Sequence, residues 1–555
     1  MTSVAEARRP DVVVVGGGHN GLACAAYLAR AGARVLVLEA RATPGGCASS
    51  VDAVGARVNV CSCDHSMVLT TPLVEELGLE AHGLRYLRVD PSRIAMSWDG
   101  GTPFVSFADP ARTVDALRRT HPDEVEGYQA YLRAAVPAAQ LLLDLVGASP
   151  TPGAVLRAVA GRRGAGAATM LRWSRSSLGE VLGHYFTSPT LLGAAAVAPA
   201  VWGLPATAAH TGAAALGFAT AHLVGVWRPE GGSGGLTEAL AAAVLAAGGE
   251  IRCGATVQTI LAEAGRVHGV RLAGGELVDC SVVVSAADPQ RTIVEWLRPP
   301  PAGASLVRRW TDRPTRDGYE SKIDAVVGQP PRYRGLDDAL LRDLGIDDPL
   351  VPTATVFPPM AELADNHRLL AQGRVGARPV LLAGLPSVLD PTLRVGSDHV
   401  LSLEALWTPY ALQGGWAGSP EPQRWLTAYA GLLEPGFLDG VRDWRVVTPV
   451  DYETDFGLRR GYAPSFTGGP LAALVGREPE LTRYRTSVPG LYLTGAGTFP
   501  GAGVWGASGR NAAAVLLRDL DARPGRVNGW RPASRAGSAP RRGPGVALRR
   551  AVARR

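Results

Sequence analysis

In this 555-residue chain, the residues whose types and spacing most directly suggest chemistry are Gly16-Gly17-Gly18-His19-Asn20-Gly21. The spacing is GxGxxG, and each glycine has a separate task. Gly16 permits a tight turn, Gly18 lets the main chain approach a pyrophosphate, and Gly21 lets a following helix pack close to the preceding strand. His19 and Asn20 fill the variable positions and count with the turn as dinucleotide contacts. Glu39, eighteen residues past Gly21, stands where a carboxylate hydrogen-bonds ribose hydroxyls, and its charge would repel a 2′-phosphate. Acid–base candidates further along are Asp64 and His65, with His210, His222, Arg228, Glu320 and the solitary lysine Lys322 as weaker ones. The cysteines, Cys24, Cys47, Cys61, Cys63, Cys253 and Cys280, form neither a CxxC pair nor a zinc pattern. No metal is expected, and the CxC of Cys61 and Cys63 is a poor redox pair.

The elements needed to position the glycine turn are all in place. Asp11–Val15 reads as a buried parallel strand, Leu22–Ala31 as a helix closed by Gly32, and Arg34–Leu38 as a second strand ending at Glu39. A second block runs from Gly231-Gly232-Ser233-Gly234-Gly235 into a helix, Leu236–Ala246. Strands are expected after it at Ile251–Ile260, Val267–Leu272 and Val282–Ser285. A third block is a short strand, Gly490–Thr494, a glycine-dense loop, Gly495–Gly509, and a helix, Asn511–Leu517. A helix N-terminus behind such a loop favours negative charge in front of it.

Length predicts two domains. The sequence pI of about 9.1 suggests nucleic acid, but the charge is misplaced for it. Ten arginines and no acid lie between Arg523 and Arg555; without them the net charge of +6 becomes about −4. That Pro-, Gly- and Ser-rich stretch is expected to be a disordered basic tail. Residues 1–10 lack an apolar signal core, and no run of about 18 apolar residues suggests a membrane span. The most apolar stretch, Leu191–Val226, is broken by Pro199, Pro205, His210 and His222 and is expected to be buried or substrate-lining. A cytoplasmic protein with free thiols is expected, with peripheral membrane contact left open.

Past Glu39 come Ala40, Arg41 and, after Thr43-Pro44, the doublet Gly45-Gly46. The doublet resembles the second FAD motif of glutathione-reductase-type flavoproteins. With 12–46, PEGGSGGLTEAL (229–240), VVVSAADP (282–289) and GLYLTGAGTFPGAGVWGASGRNAA (490–513), the chain resembles the phytoene desaturase-like branch of FAD-dependent oxidoreductases. The resemblance implies an α/β, Rossmann-like FAD domain of the glutathione-reductase/amine-oxidase type with an inserted α+β substrate domain. Residues 8–110, 229–300 and 480–522 would form the former; 111–228 and 301–479 the latter. It implies non-covalent FAD held by the first turn, by Glu39, Ala40, Arg41, Gly45 and Gly46, and by the main chain near Val257. Gly495, Ala496, Gly503, Val504 and Trp505 would cover the flavin. It also brings His65 and Asp64 past the flavin ring as the favoured catalytic pair. Cys47 stands where carotenoid desaturases and amine oxidases usually carry arginine.

The expected reaction is oxidation or reduction at C–C or C=C bonds of a large apolar, polyene-type molecule, by desaturation or by reduction with cyclisation, as in the tetramate macrolactam cyclases. An amine oxidase and a prenyl-binding protein of the GDP-dissociation-inhibitor type are the alternatives. No second GxGxxG follows a strand, so NADPH, if it serves as transient reductant, must share the substrate cleft. Trp202, Trp227, Trp310, Trp407, Tyr410 and Trp416 could line that cleft, though such aromatics are as often plain core.

Overall fold

The computed structural model describes residues 9–61, 64–200, 203–300, 305–314, 316–463, 466 and 478–521. Cys63, Trp202 and the basic tail lie outside them.

Four consecutive valines, Val12–Val15, form a strand buried on both faces, Val12 and Val14 against helices and Val13 and Val15 against the strands of a second sheet. It is the centre of a five-stranded parallel sheet ordered Leu491–Leu493, Val283–Ser285, Val12–Val15, Val35–Leu38, Glu250–Arg252. Helix His19–Arg30 begins directly behind Gly18, one turn earlier than the apolar periodicity implied. Helices Gly234–Ala246 and Ala507–Asp521 pack beside it. A Cβ on Gly509 would lie 2.1 Å from the carbonyl oxygen of Asn20, so glycine is what lets the last helix touch the first.

The expected single strand Ile251–Ile260 is two. Glu250–Arg252 closes the parallel sheet, and Gly254, at φ +66°, turns the chain so that Val257–Glu263 enters a separate four-stranded sheet. The boundary expected at 110 also moves. Arg93–Ser97 and Phe104–Ser106 belong to a seven-stranded sheet in the inserted part, ordered Val441–Val447, Tyr319–Val327, His399–Thr408, Leu381–Gly384, Ala354–Phe357, Arg93–Ser97, Phe104–Ser106. The first crossing therefore precedes residue 93.

Helices from Pro110–Thr120 to Gly217–Val224 enclose an aromatic core of Tyr128, Tyr131, Trp173, Phe186 and Phe218. The stretch Leu191–Val226 runs through this layer, where the described side chains Leu191, Ala194, Leu216, Phe218 and Ala219 are buried. Among the described residues no helix is long and apolar enough to cross a membrane.

Strand Tyr319–Val327 is buried almost throughout, and its faces differ in kind. Ile323, Ala325 and Val327 join an apolar core, whereas Glu320, Lys322 and Asp324 alternate onto the opposite face. That polar face meets the hairpin Ser50–Ala53/Ala56–Asn59, which follows the Gly45-Gly46 doublet.

Candidate functional site

The glycine turn has the geometry its spacing implied. Gly16 sits at φ +98°, and a Cβ on Gly21 would lie 2.1 Å from the Gly16 carbonyl oxygen. A Cβ on Gly18 would meet nothing within 4 Å. The helix behind it has no side-chain cap and no acid in its first turn, so its free N–H groups and positive dipole end face that open space. Glu39 is buried and accepts from the N–H of Gly17 at 2.7 Å and of Arg41 at 2.9 Å. Two further lone pairs stay free for hydroxyl donors.

The doublet loop docks on this turn. The Gly45 N–H donates to the Gly17 carbonyl at 2.8 Å, and a Cβ on Gly46 would press within 3.2 Å of the Gly18 Cα. Ala40 is exposed at the rim. The Arg41 guanidinium turns away, donating to Ser49 Oγ at 3.2 Å and lying 4.5 Å from the Phe456 ring centroid. Val257 has a buried side chain; just before it the Ala255 N–H donates to the Glu39 carbonyl at 2.8 Å.

The C-terminal loop completes the cradle. Gly495 is at φ +100°, where a Cβ would come within 2.8 Å of the Ala286 carbonyl oxygen. Ser508 Oγ accepts from its N–H at 3.0 Å and bonds Thr494 and Thr498. The Ala496 carbonyl accepts from the Phe466 N–H at 3.1 Å. Val504 packs toward the first helix, and Trp505 donates to the Ala502 carbonyl at 2.9 Å. The His19 ring is deeply enclosed, bonds Asn20 Nδ2 at 3.0 Å and reaches the Gly503 main chain. Burial pulls its pKa down to about 4, so it is a neutral tie between first turn and last loop. An open glycine cradle, an uncapped helix N-terminus and a buried acceptor carboxylate suit the pyrophosphate and ribose of a dinucleotide.

The expected catalytic pair has other commitments. His65 is fully buried, its Nε2 3.0 Å from Ser233 Oγ and its Nδ1 3.5 Å from the Tyr86 hydroxyl. Burial drops its pKa to about 3. Asp64 accepts from Arg228 Nε at 2.8 Å and Thr353 Oγ1 at 3.2 Å. Both residues therefore anchor the segment after the hairpin; neither presents a free base. Of the weaker candidates, His222 is buried against the Tyr128 hydroxyl at 2.7 Å, and His210 bonds the Ser174 carbonyl.

A cluster of buried ionisable groups lies on the polar face of strand Tyr319–Val327. Lys322, fully buried, donates to the Asn59 carbonyl at 2.8 Å and contacts Asp324. Arg445 grips the other Asp324 oxygen through Nε at 3.1 Å and Nη2 at 3.0 Å. Both cations thus converge on Asp324, while Glu320 and Glu404 stay buried beside Lys322. Burial first, then the neighbouring Cys61 and Glu404, holds Glu320 well above the carboxylate range; burial raises Glu404 to about 7. Three carboxyls facing two cations keep a proton at neutral pH. Cys61 hydrogen-bonds Cys47 and Glu320, and the Tyr452 hydroxyl donates to the Val60 carbonyl at 3.1 Å. A bulge between Tyr319 and Glu320 brings Tyr319 close enough to feel Glu320, Glu404 and Cys61. The signal for this cluster was the alternation Glu320-Ser-Lys322-Ile-Asp324, which in a strand puts three ionisable groups on one face.

The five described aromatics of the inserted part are dispersed. Trp310 donates to Glu480 at 2.7 Å in the core beneath the FAD-type sheet, Trp416 packs on Trp425, Trp407 on His367, Tyr410 beneath Arg460, and Trp227 donates to the Val224 carbonyl. Among the described residues no group of His, Cys, Asp or Glu side chains could hold a metal.

Parallel sheet, glycine turn and closing loop define a dinucleotide-dependent flavoprotein. The chain belongs to the flavin-containing amine oxidoreductase family, whose model matches residues 21–304. It is an FAD-dependent oxidoreductase of the phytoene desaturase-like kind. It is 30% identical to pyridine nucleotide-disulfide oxidoreductase domain-containing protein 2 of Rattus norvegicus, over 92% of this chain and 94% of that one. It is 27% identical to a lycopene-forming phytoene desaturase of Pseudescherichia vulneris, over 92% and 99%. Cyclohexylamine oxidase from Brevibacterium oxydans shares the fold, with TM-score 0.55, 16% identity and coverage of 92% and 100%.

Proposed function

We propose that the enzyme desaturates a large apolar, polyene-type molecule at a C–C bond, with the Glu320/Glu404 pair taking the proton. The observation that carries this reading is the enclosed carboxyl pair on the sheet face against the hairpin that follows the doublet. Desaturation removes a hydride from one carbon and a proton from its neighbour. FAD, when bound, supplies the two-electron acceptor. The chain must supply the proton acceptor, and a carboxyl titrating near neutrality is suited to that task. Lys322 holds Asp324 and the hairpin carbonyl in place, fixing the strand that carries Glu320. The Pseudescherichia vulneris relative is named a phytoene desaturase, which supports a large apolar substrate.

Reduction with cyclisation is the reverse use of the same groups, with NADPH as transient reductant in the shared cleft. The visible spectrum of purified protein under anaerobic NADPH separates the two. Desaturation predicts flavin colour retained with NADPH and bleached by a bound polyene precursor. Bleaching by NADPH alone would replace the proposal with the reductive one.

A further inference from the structure

The side chain of Arg93 is deeply enclosed by surrounding atoms, yet part of its surface stays open. It lies on the strand face toward the aromatic layer, since Ile94 and Met96 point into the opposite core while Ala95 joins the aromatic one. Its guanidinium donates to the Ala194 carbonyl at 3.3 Å and lies 5.3 Å from the Phe218 ring centroid. Among the described residues no carboxylate forms an ion pair with it. Asp64 is the near anion, already held by Arg228 and Thr353, and Thr353 immediately precedes Ala354, which pairs with Ile94. The other titratable groups facing this region are neutral. Burial raises the Tyr128 and Tyr131 hydroxyls and pulls His222 down to about 4. Arg93 therefore has no carboxylate of its own beside the aromatic layer. An enclosed cation without its own counter-ion is costly, and an anion arriving with a ligand would relieve that cost.

We infer that Arg93 is an anion anchor, and that the apolar substrate carries a carboxylate or comparable acidic group at one end. The inference rests on the apolar-substrate reading above and adds the polar terminus. Arginine suits the task because its planar fork binds a carboxylate in two places.

The test measures binding of decanoate and of methyl decanoate to the purified FAD-loaded enzyme by calorimetry. Decanoate should bind about tenfold or more tightly than the ester. Arg93→Gln should erase that preference while leaving ester affinity unchanged, and Arg93→Lys should keep part of it. Flavin content and urea midpoint establish that each variant is folded, and the wild-type comparison needs no variant. Equal binding of acid and ester, or a preference that survives Arg93→Gln, overturns the anchor but leaves the apolar site standing. Failure of both probes to bind overturns the anchor and the apolar-substrate reading together.

Discussion

Glu404 stands directly across from Lys322 in the antiparallel register, yet the ammonium gives its hydrogen bonds to Asp324 and the Asn59 carbonyl. The chain's single lysine therefore serves the hairpin and the neighbouring carboxylate, and Glu404 keeps its affinity for a proton.

That affinity sets a pH dependence. Glu404 is raised from 4.5 to about 7 by burial, so between those values the folded protein binds more protons than the unfolded chain. Stability from this group is complete below the unfolded value and is lost as pH rises through about 7, by on the order of 3 kcal/mol. Glu404→Gln should flatten the dependence of the urea midpoint on pH across this window. A variant with the wild-type slope would refute the assignment.

Two enclosed histidines act in the opposite direction. His65 and His19 are lowered from 6.5 to about 3 and about 4, chiefly by burial. Their stability contribution is present above 6.5 and is lost as pH falls toward the folded values, because the unfolded chain binds the protons first. His65→Gln should make acid unfolding less steep by roughly one proton, read from urea midpoints below pH 6.5.

Removing the ammonium leaves Asp324 with Arg445 alone and Glu404 without a cation opposite. Lys322→Met should cost about 3–5 kcal/mol in urea unfolding. Lys322→Arg should not restore the wild-type value, because the site is fully enclosed and fitted to a compact head group. Full rescue by arginine would show that charge alone matters there.

Glu39→Gln keeps the shape but gives an amide nitrogen to one of two N–H donors, Gly17 or Arg41. Flavin retention on gel filtration should fall at least about tenfold, with roughly 1–3 kcal/mol lost in stability. Gly21→Ala should yield little flavin-loaded protein, its methyl facing the Gly16 carbonyl oxygen at 2.1 Å.

Arg510 on the last helix makes two bonds to Glu76, at 2.7 and 2.8 Å, and Tyr27 on the first helix donates to the same carboxylate at 2.6 Å. Arg510→Ala should cost about 2–3 kcal/mol and loosen the helix that closes the cofactor loop. The urea midpoint and the flavin off-rate read the two effects separately.

The cofactor half was legible because its signals are local. Strand Val12–Val15, the glycine turn and helix His19–Arg30 follow one another within a single βα unit, where backbone sterics permit few alternatives. Glu39 was legible as a hydroxyl acceptor; its bonds to Gly17 and Arg41 were not, since they depend on how two loops fold onto one strand end. The strand expected through Gly254 failed because apolar content continues where a left-handed glycine turns the chain into another sheet.

Sequence alone determined the dinucleotide turn, written in glycines whose tasks are steric, and its resemblance to a known family implied FAD and the phytoene desaturase-like kind. Tertiary structure alone decided where protons and charge reside. His65, an apparent base, is enclosed and bonded; Lys322 meets Asn59, Glu320 meets Cys61 and Asp324 meets Arg445 from distant segments; Arg93 lies against an aromatic layer. A carboxyl's proton affinity is set by the water it loses and the charges it faces, and neither exists until distant segments close around it.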